Sequence, residues 1–170
     1  GDVYKRQWQY NTSQEERDVI QGILRGFTQL ECYVGCHWAD RVCKLFPKHE
    51  IVAMARAFST WEGIHAQAYN YLSDTLGLNE FEAFLGDPIA RQKIDYFLNE
   101  TSEKVGLAIF SGGGEGVSLF SSFAVLLSFN LSGRFKGLGQ IISWSVLDEQ
   151  LHSDAGCELF KDLVKEQGLS

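Results

Sequence analysis

Apolar residues recur at a helical period along most of the chain. Val19, Ile20, Ile23, Leu24, Phe27, Leu30 and Val34 fall at three- and four-residue steps. They follow a polar Thr12/Ser13 start, with Glu15 and Glu16 where the first turn of a helix favours negative charge. The pattern predicts a first helix from about Ser13 to Leu45. Pro47, tolerated in a first turn, opens a second stripe of Ile51, Met54, Ala55, Phe58, Trp61, Ala68, Leu72 and Leu76 that stops near Gly77. Asp87-Pro88 reads as the cap and proline start of a short helix to about Leu98. Two more long helices are expected, over about Ser102 to Asn130 and Arg134 to Glu166, parted by Ser132-Gly133. With only 2 prolines and no convincing strand alternation, the prediction is an all-α bundle.

What interrupts the stripes is more informative than the stripes themselves. Glu31 lies four residues after Phe27 and three before Val34, on the core-facing side of the first helix, where a leucine would be expected. Glu62 and His65 intrude likewise on the second helix, Glu115 on the next long one, and Glu149 and His152 on the last. Buried carboxylates are costly unless paired, and few lysines or arginines share these stripes. Glu62-Gly-Ile-His65 and Glu149-Gln-Leu-His152 are both Glu-x-x-His, a spacing that puts two ligands on one helical face. Chance placement of 13 glutamates and 4 histidines gives roughly 0.3 such pairs in a chain of this length. One Glu from each of two helices, with Glu-x-x-His from each of the other two, is the ligand set of carboxylate-bridged dimetal sites in four-helix bundles. Four carboxylates match two divalent ions, and oxygen-rich ligation with one imidazole per ion suits iron or manganese better than structural zinc.

Composition narrows the setting. A chain of 170 residues makes one domain that can bury about 70% of its unfolded surface. With 15 basic against 22 acidic residues, the net charge of -7 disfavours nucleic acid and anionic lipid as partners. The most apolar run, Phe120 to Leu131, contains three serines and an asparagine and is too short to span a bilayer, and the amino terminus has no signal-peptide core. These features predict a cytoplasmic protein without a membrane partner, its 4 cysteines reduced. Cys32 and Cys36 sit on the Glu31 helix with no second thiol pair to face them, which argues against a thiolate site. The Ser111-Gly-Gly-Gly-Glu115-Gly116 stretch lacks the strand and Lys-Ser/Thr of a phosphate loop; small residues there admit a close helix neighbour or a π-type distortion near Glu115.

Taken together, Glu31, Glu62/His65, Glu115 and Glu149/His152 resemble, in chain order and largely in spacing, the six ligands of the radical-generating small (β) subunit of class I ribonucleotide reductase. Tyr69, in Trp-Glu-Gly-Ile-His-Ala-Gln-Ala-Tyr, stands where that family carries its radical tyrosine, and Asp148 matches the aspartate of the family's Asp-Glu pair. Leu119 and Phe123 match its apolar radical pocket, and the resemblance runs from about Trp8 to Phe160. It implies a ferritin-like four-helix bundle holding two iron ions, with manganese or a mixed manganese–iron pair as alternatives. It further implies oxygen activation, a tyrosyl radical on Tyr69, a homodimer, and a separate large (α) subunit that reduces ribonucleotides. Asp148 would connect the centre to the radical relay. Three positions depart from the common pattern: Glu31 replaces aspartate, Leu147 an arginine, and Ser145 an apolar pocket residue. Trp8 is too close to Glu31 to be the relay tryptophan. Residues 1–7 have no counterpart and are expected to be a non-native or disordered leader, with residues 8–170 the bundle domain of a longer subunit. The rival readings are a ferritin-like iron oxidation and storage protein, or a dimetal oxidase or desaturase, neither of which needs Tyr69 or Asp148.

Overall fold

The computed structural model describes residues 2–78 and 103–166, together with 88, 91–92 and 95–96. The short helix expected from Asp87 to about Leu98 lies outside the described residues apart from those isolated positions. Helix α1 (Asp2–Tyr10) leads by a short turn into α2 (Gln14–Cys36), which runs on through a π-helical segment, π1 (His37–Val42), and a last turn, α3 (Cys43–Leu45). Ser13 caps α2 with a full capping box: its hydroxyl accepts from Glu16 N–H at 3.2 Å, and the Glu16 carboxylate accepts from Ser13 N–H at 2.9 Å. The first predicted helix is therefore continuous from residue 14 to 45, with one wider turn inserted.

Helix α4 (His49–Leu76) begins two residues beyond Pro47, which stands outside it rather than in its first turn. It ends at Gly77, whose φ of 73° closes a left-handed cap that a side chain would oppose. Next come α5 (Glu103–Ala108), a long π-helical segment π2 (Ile109–Leu119) and α6 (Phe120–Leu131) as one unbroken rod, then α7 (Lys136–Glu166). The glycine stretch thus produces the π-type distortion that its composition suggested. Among the described residues there is no strand.

Among the described residues, four rods pack as a bundle: α2 lies mainly against α4, and α7 against π2, α5 and α6. The inward stripes are Ile20, Leu24, Phe27, Leu30 and Val34 on α2, and Ala55, Phe58 and Tyr69 on α4. Phe110, Leu119, Phe123 and Leu126 on the third rod and Leu138, Ile142, Leu159 and Leu163 on α7 complete the core. Val19, predicted within the first stripe, is exposed, as is Trp144 on α7. The amino-terminal helix is tied on by Trp8, which packs edge-on to Phe135, and by Arg134, which pairs with Glu16 at 2.7 Å and donates to Asn11 O. Lys104–Leu131 is long and apolar enough, by length and composition alone, to cross a membrane, because the helix starts well before the Phe120 to Leu131 run. That rod also carries Glu115, fully buried among the other helices.

Candidate metal centre

Each long rod turns one acid or one Glu-x-x-His pair into the middle of the bundle. Glu31, Glu62, Glu115, Glu149 and His152 are at most 1% exposed, and His65 is 5% exposed. The helical registers that bury Phe27 and Val34, or Phe58 and Tyr69, carry these polar groups inward with them. Their donor atoms gather into two groups: Glu31, Glu62, His65 and Glu149 in one, and Glu62, Glu115, Glu149 and His152 in the other. Within each group the donor atoms lie within 4.8 Å of one another. Glu62 and Glu149 belong to both, which is the arrangement needed for two carboxylates to bridge a pair of ions.

The imidazoles face the acids through Nδ1. His65 Nδ1 is 2.9 Å from Glu149 Oε1 and 3.4 Å from Glu62 Oε2; His152 Nδ1 is 2.6 Å from Glu62 Oε1 and 3.6 Å from both Glu115 and Glu149. Beyond these mutual contacts, neither oxygen of Glu31 has a hydrogen-bond partner, nor does Oε2 of Glu115. So many buried carboxylate and imidazole groups converging on one region are what a fold prepared for cations requires. All six residues therefore fit a dimetal carboxylate site of nitrogen and oxygen donors.

Protonation follows from the crowding. Burial holds the Glu31 carboxyl well above the ordinary range, with Glu62 adding to it, and burial followed by Glu62 raises Glu115 likewise. Burial also acts to raise Glu62, but His152 and His65 override it and bring the group to about 2. For the imidazoles burial acts downward and is overridden by Glu149 and Glu62, so that His65 and His152 both rise to about 10. Among themselves the side chains thus balance charge with protons, which a pair of divalent cations would displace.

Surrounding contacts fix the cluster. Trp38, fully buried, donates from Nε1 to Glu115 Oε1 at 2.8 Å, the same oxygen that lies 3.6 Å from His152 Nδ1, and so fixes the carboxylate beside the cluster. His65 Nε2 meets Asp148 Oδ2 at 3.0 Å, tying the Glu-x-x-His of α4 to the Asp-Glu of α7; the Asp148 side chain is 41% exposed. The Trp61 ring stacks on His152 at 5.7 Å and 17°. Tyr69 lies one turn beyond His65, ring centroids 6.4 Å apart, wholly buried against Phe27, which in turn meets Phe123. Burial, reinforced by Glu31, pushes its phenol well above the ordinary value, and the hydroxyl has no hydrogen-bond partner. Ser153 on α7 donates to the Ser111 carbonyl of π2 at 2.8 Å.

The structure therefore brings together all six residues read from the sequence as ligands, with Tyr69 and Asp148 beside them. Sequence reading missed Trp38 and Ser153. Trp38 stands seven residues after Glu31, two turns along the same face, and that spacing could have revealed it. Nothing in the sequence links Ser153 to the Ser111 carbonyl of the π-helical segment.

Residues 5–169 match the family described as ribonucleotide reductase, small chain. A probable ribonucleoside-diphosphate reductase small subunit of Invertebrate iridescent virus 6 is 36% identical over 94% of this chain and 50% of its own length. The ribonucleoside-diphosphate reductase subunit beta of Chlamydia pneumoniae is 27% identical, covering 91% of this chain and 50% of its own. Subunit M2 of Homo sapiens is 28% identical, covering 88% and 41%. The chain spans about half the length of the curated relatives it matches. A match that runs through all four rods contributing the buried acids makes this chain a member of the ribonucleotide reductase small chain family.

Proposed function

We propose that residues 8–170 form the dimetal bundle domain of a class I ribonucleotide reductase small subunit. The observation that carries this reading is the pair of four-residue donor groups sharing Glu62 and Glu149, with a dry tyrosine one turn from His65. Glu31 and His65 would hold one ion and Glu115 and His152 the other, with Glu62 and Glu149, common to both donor groups, available to each. Two iron ions are the first assignment, with manganese or a mixed pair as the alternatives. Such a centre, when loaded, supplies oxygen activation and a one-electron oxidising equivalent.

The chain's own residues do the rest. Tyr69 is the residue that the loaded centre would oxidise by one electron, and the buried Phe27, Leu119 and Phe123 would keep water from it. Asp148, whose Oδ2 lies 3.0 Å from His65 Nε2, would orient that imidazole and connect the centre to a radical relay toward a large (α) subunit. In this reading the subunit is a homodimer, works in the cytoplasm, and engages neither nucleic acid nor membrane. Electron paramagnetic resonance after addition of ferrous iron and oxygen tests it. The expected result is a tyrosyl signal that Tyr69→Phe abolishes while metal content is kept. A loaded protein that yields no radical with iron or manganese would overturn the radical-generating role of Tyr69.

A further inference from the structure

A second polar feature lies apart from the metal centre. A cavity of about 220 Å³ opens between the π1–α3 turn and α5, lined by His37, Arg41 and Lys44 on its polar side and by Val42, Leu45 and Leu107 on its apolar side. His37 is only 5% exposed, its ring stacked on Phe110 at 4.1 Å and 10°, and neither ring nitrogen has a hydrogen-bond partner. It belongs to neither donor group of the metal centre. A buried imidazole with its donor and acceptor both unmade is destabilising, and a bound ligand relieves that cost. Burial, aided by Arg41, lowers the imidazole to about 3, so the ring is neutral and presents one N–H and one lone pair.

Arg41 and Lys44 bring two positive charges to one small cavity of a chain whose net charge is -7. A guanidinium carries five N–H donors, so it can serve a ligand in addition to other partners. The apolar walls argue against a bare inorganic ion, which would leave Val42, Leu45 and Leu107 uncovered. We infer that this cavity binds a small organic monoanion, its carboxylate held by Arg41, Lys44 and the His37 N–H, and its hydrocarbon body seated on Val42, Leu45 and Leu107. The site stands independently of the metal assignment.

The test uses the whole 170-residue chain without added metal and three probes: benzoate, its neutral analogue benzyl alcohol, and inorganic phosphate. Saturable benzoate binding, read by calorimetry or saturation-transfer NMR, is expected, with benzyl alcohol and phosphate each weaker by about tenfold or more. His37→Phe keeps an aromatic ring for the Phe110 stack and removes both nitrogens; it is expected to weaken benzoate by about tenfold, as is the surface change Arg41→Gln. Should His37→Phe not fold, Arg41→Gln and Lys44→Gln carry the test. Absence of saturable benzoate binding up to about 10 mM, or binding unaltered in these variants, overturns the proposal. Equal binding of benzyl alcohol overturns the anion requirement, and equal binding of phosphate overturns the organic one.

Discussion

At the scale of single residues, the centre is held by an economy of partners. Glu62 and Glu149 each serve both donor groups, whereas Glu31 and Glu115 each serve one. Glu62→Ala and His152→Ala are therefore expected to lower bound metal sharply, with Glu62→Ala affecting both ions and Glu31→Ala leaving the Glu115/His152 position loaded; metal analysis of the purified variants checks this. Unchanged stoichiometry in both Glu62→Ala and His152→Ala would remove the ligand assignment. Trp38→Phe deletes the donor to Glu115 Oε1 and leaves another buried oxygen unpartnered. A loss of about 1–3 kcal/mol in urea denaturation is expected, together with weaker metal binding. Glu31 has the opposite sign without metal, since it is a fully buried acid with neither oxygen partnered. Glu31→Leu should make the metal-free protein more stable by about 1–4 kcal/mol while its metal binding falls, measured by thermal unfolding with and without added ferrous iron.

At the scale of elements, the rods are positioned by close approaches as much as by apolar stripes. A Cβ added at Gly156 on α7 would overlap the Ser111 hydroxyl of π2, and Ser153 one turn earlier donates to the Ser111 carbonyl. These two contacts set α7 against the π-helical turn that carries Glu115. Gly156→Ala should cost about 1–3 kcal/mol by thermal unfolding, and Ser111→Gly in the same chain should restore most of it. If the double variant is no more stable than Gly156→Ala, the contact is not what limits the approach. The glycines of 112–116 were legible as a cause of distortion, yet which partner would lock the distortion was not. That depended on a serine from a rod distant in sequence. The Ser13 capping box, by contrast, is local and could be read directly from Ser13 and Glu16.

For the molecule as a whole, charge couples the fold and the centre to pH. Arg134 first, and then the bond to Ser13 N–H, hold Glu16 at about 2, below its ordinary 4.5. A carboxyl lowered in the folded state adds stability above its ordinary value, and that contribution is lost as the pH falls from about 4.5 toward about 2. Arg134→Gln should flatten the stability profile in that window, as read by denaturation at stepped pH. Metal loading works in the opposite region. Glu31 and Glu115 hold protons above the ordinary carboxylate range, and His65 and His152 up to about 10. Ion binding near neutral pH should accordingly release protons and strengthen as pH rises, measurable by calorimetry in buffers of different ionisation enthalpy.

The sequence by itself determined the helical rods and the six polar intrusions, because helical periodicity and the Glu-x-x-His spacing are local properties of consecutive residues. It also placed Tyr69 one turn from His65, since both lie on one helix. Only the tertiary structure decided that Glu62 and Glu149 stand between two donor groups, that Trp38 holds Glu115, and that Asp148 meets His65 across 83 residues of chain. Those relations depend on how four rods rotate and slide against one another. That packing is set by volumes and close approaches on separate helices, such as Gly156 against Ser111, which no single stretch of sequence contains.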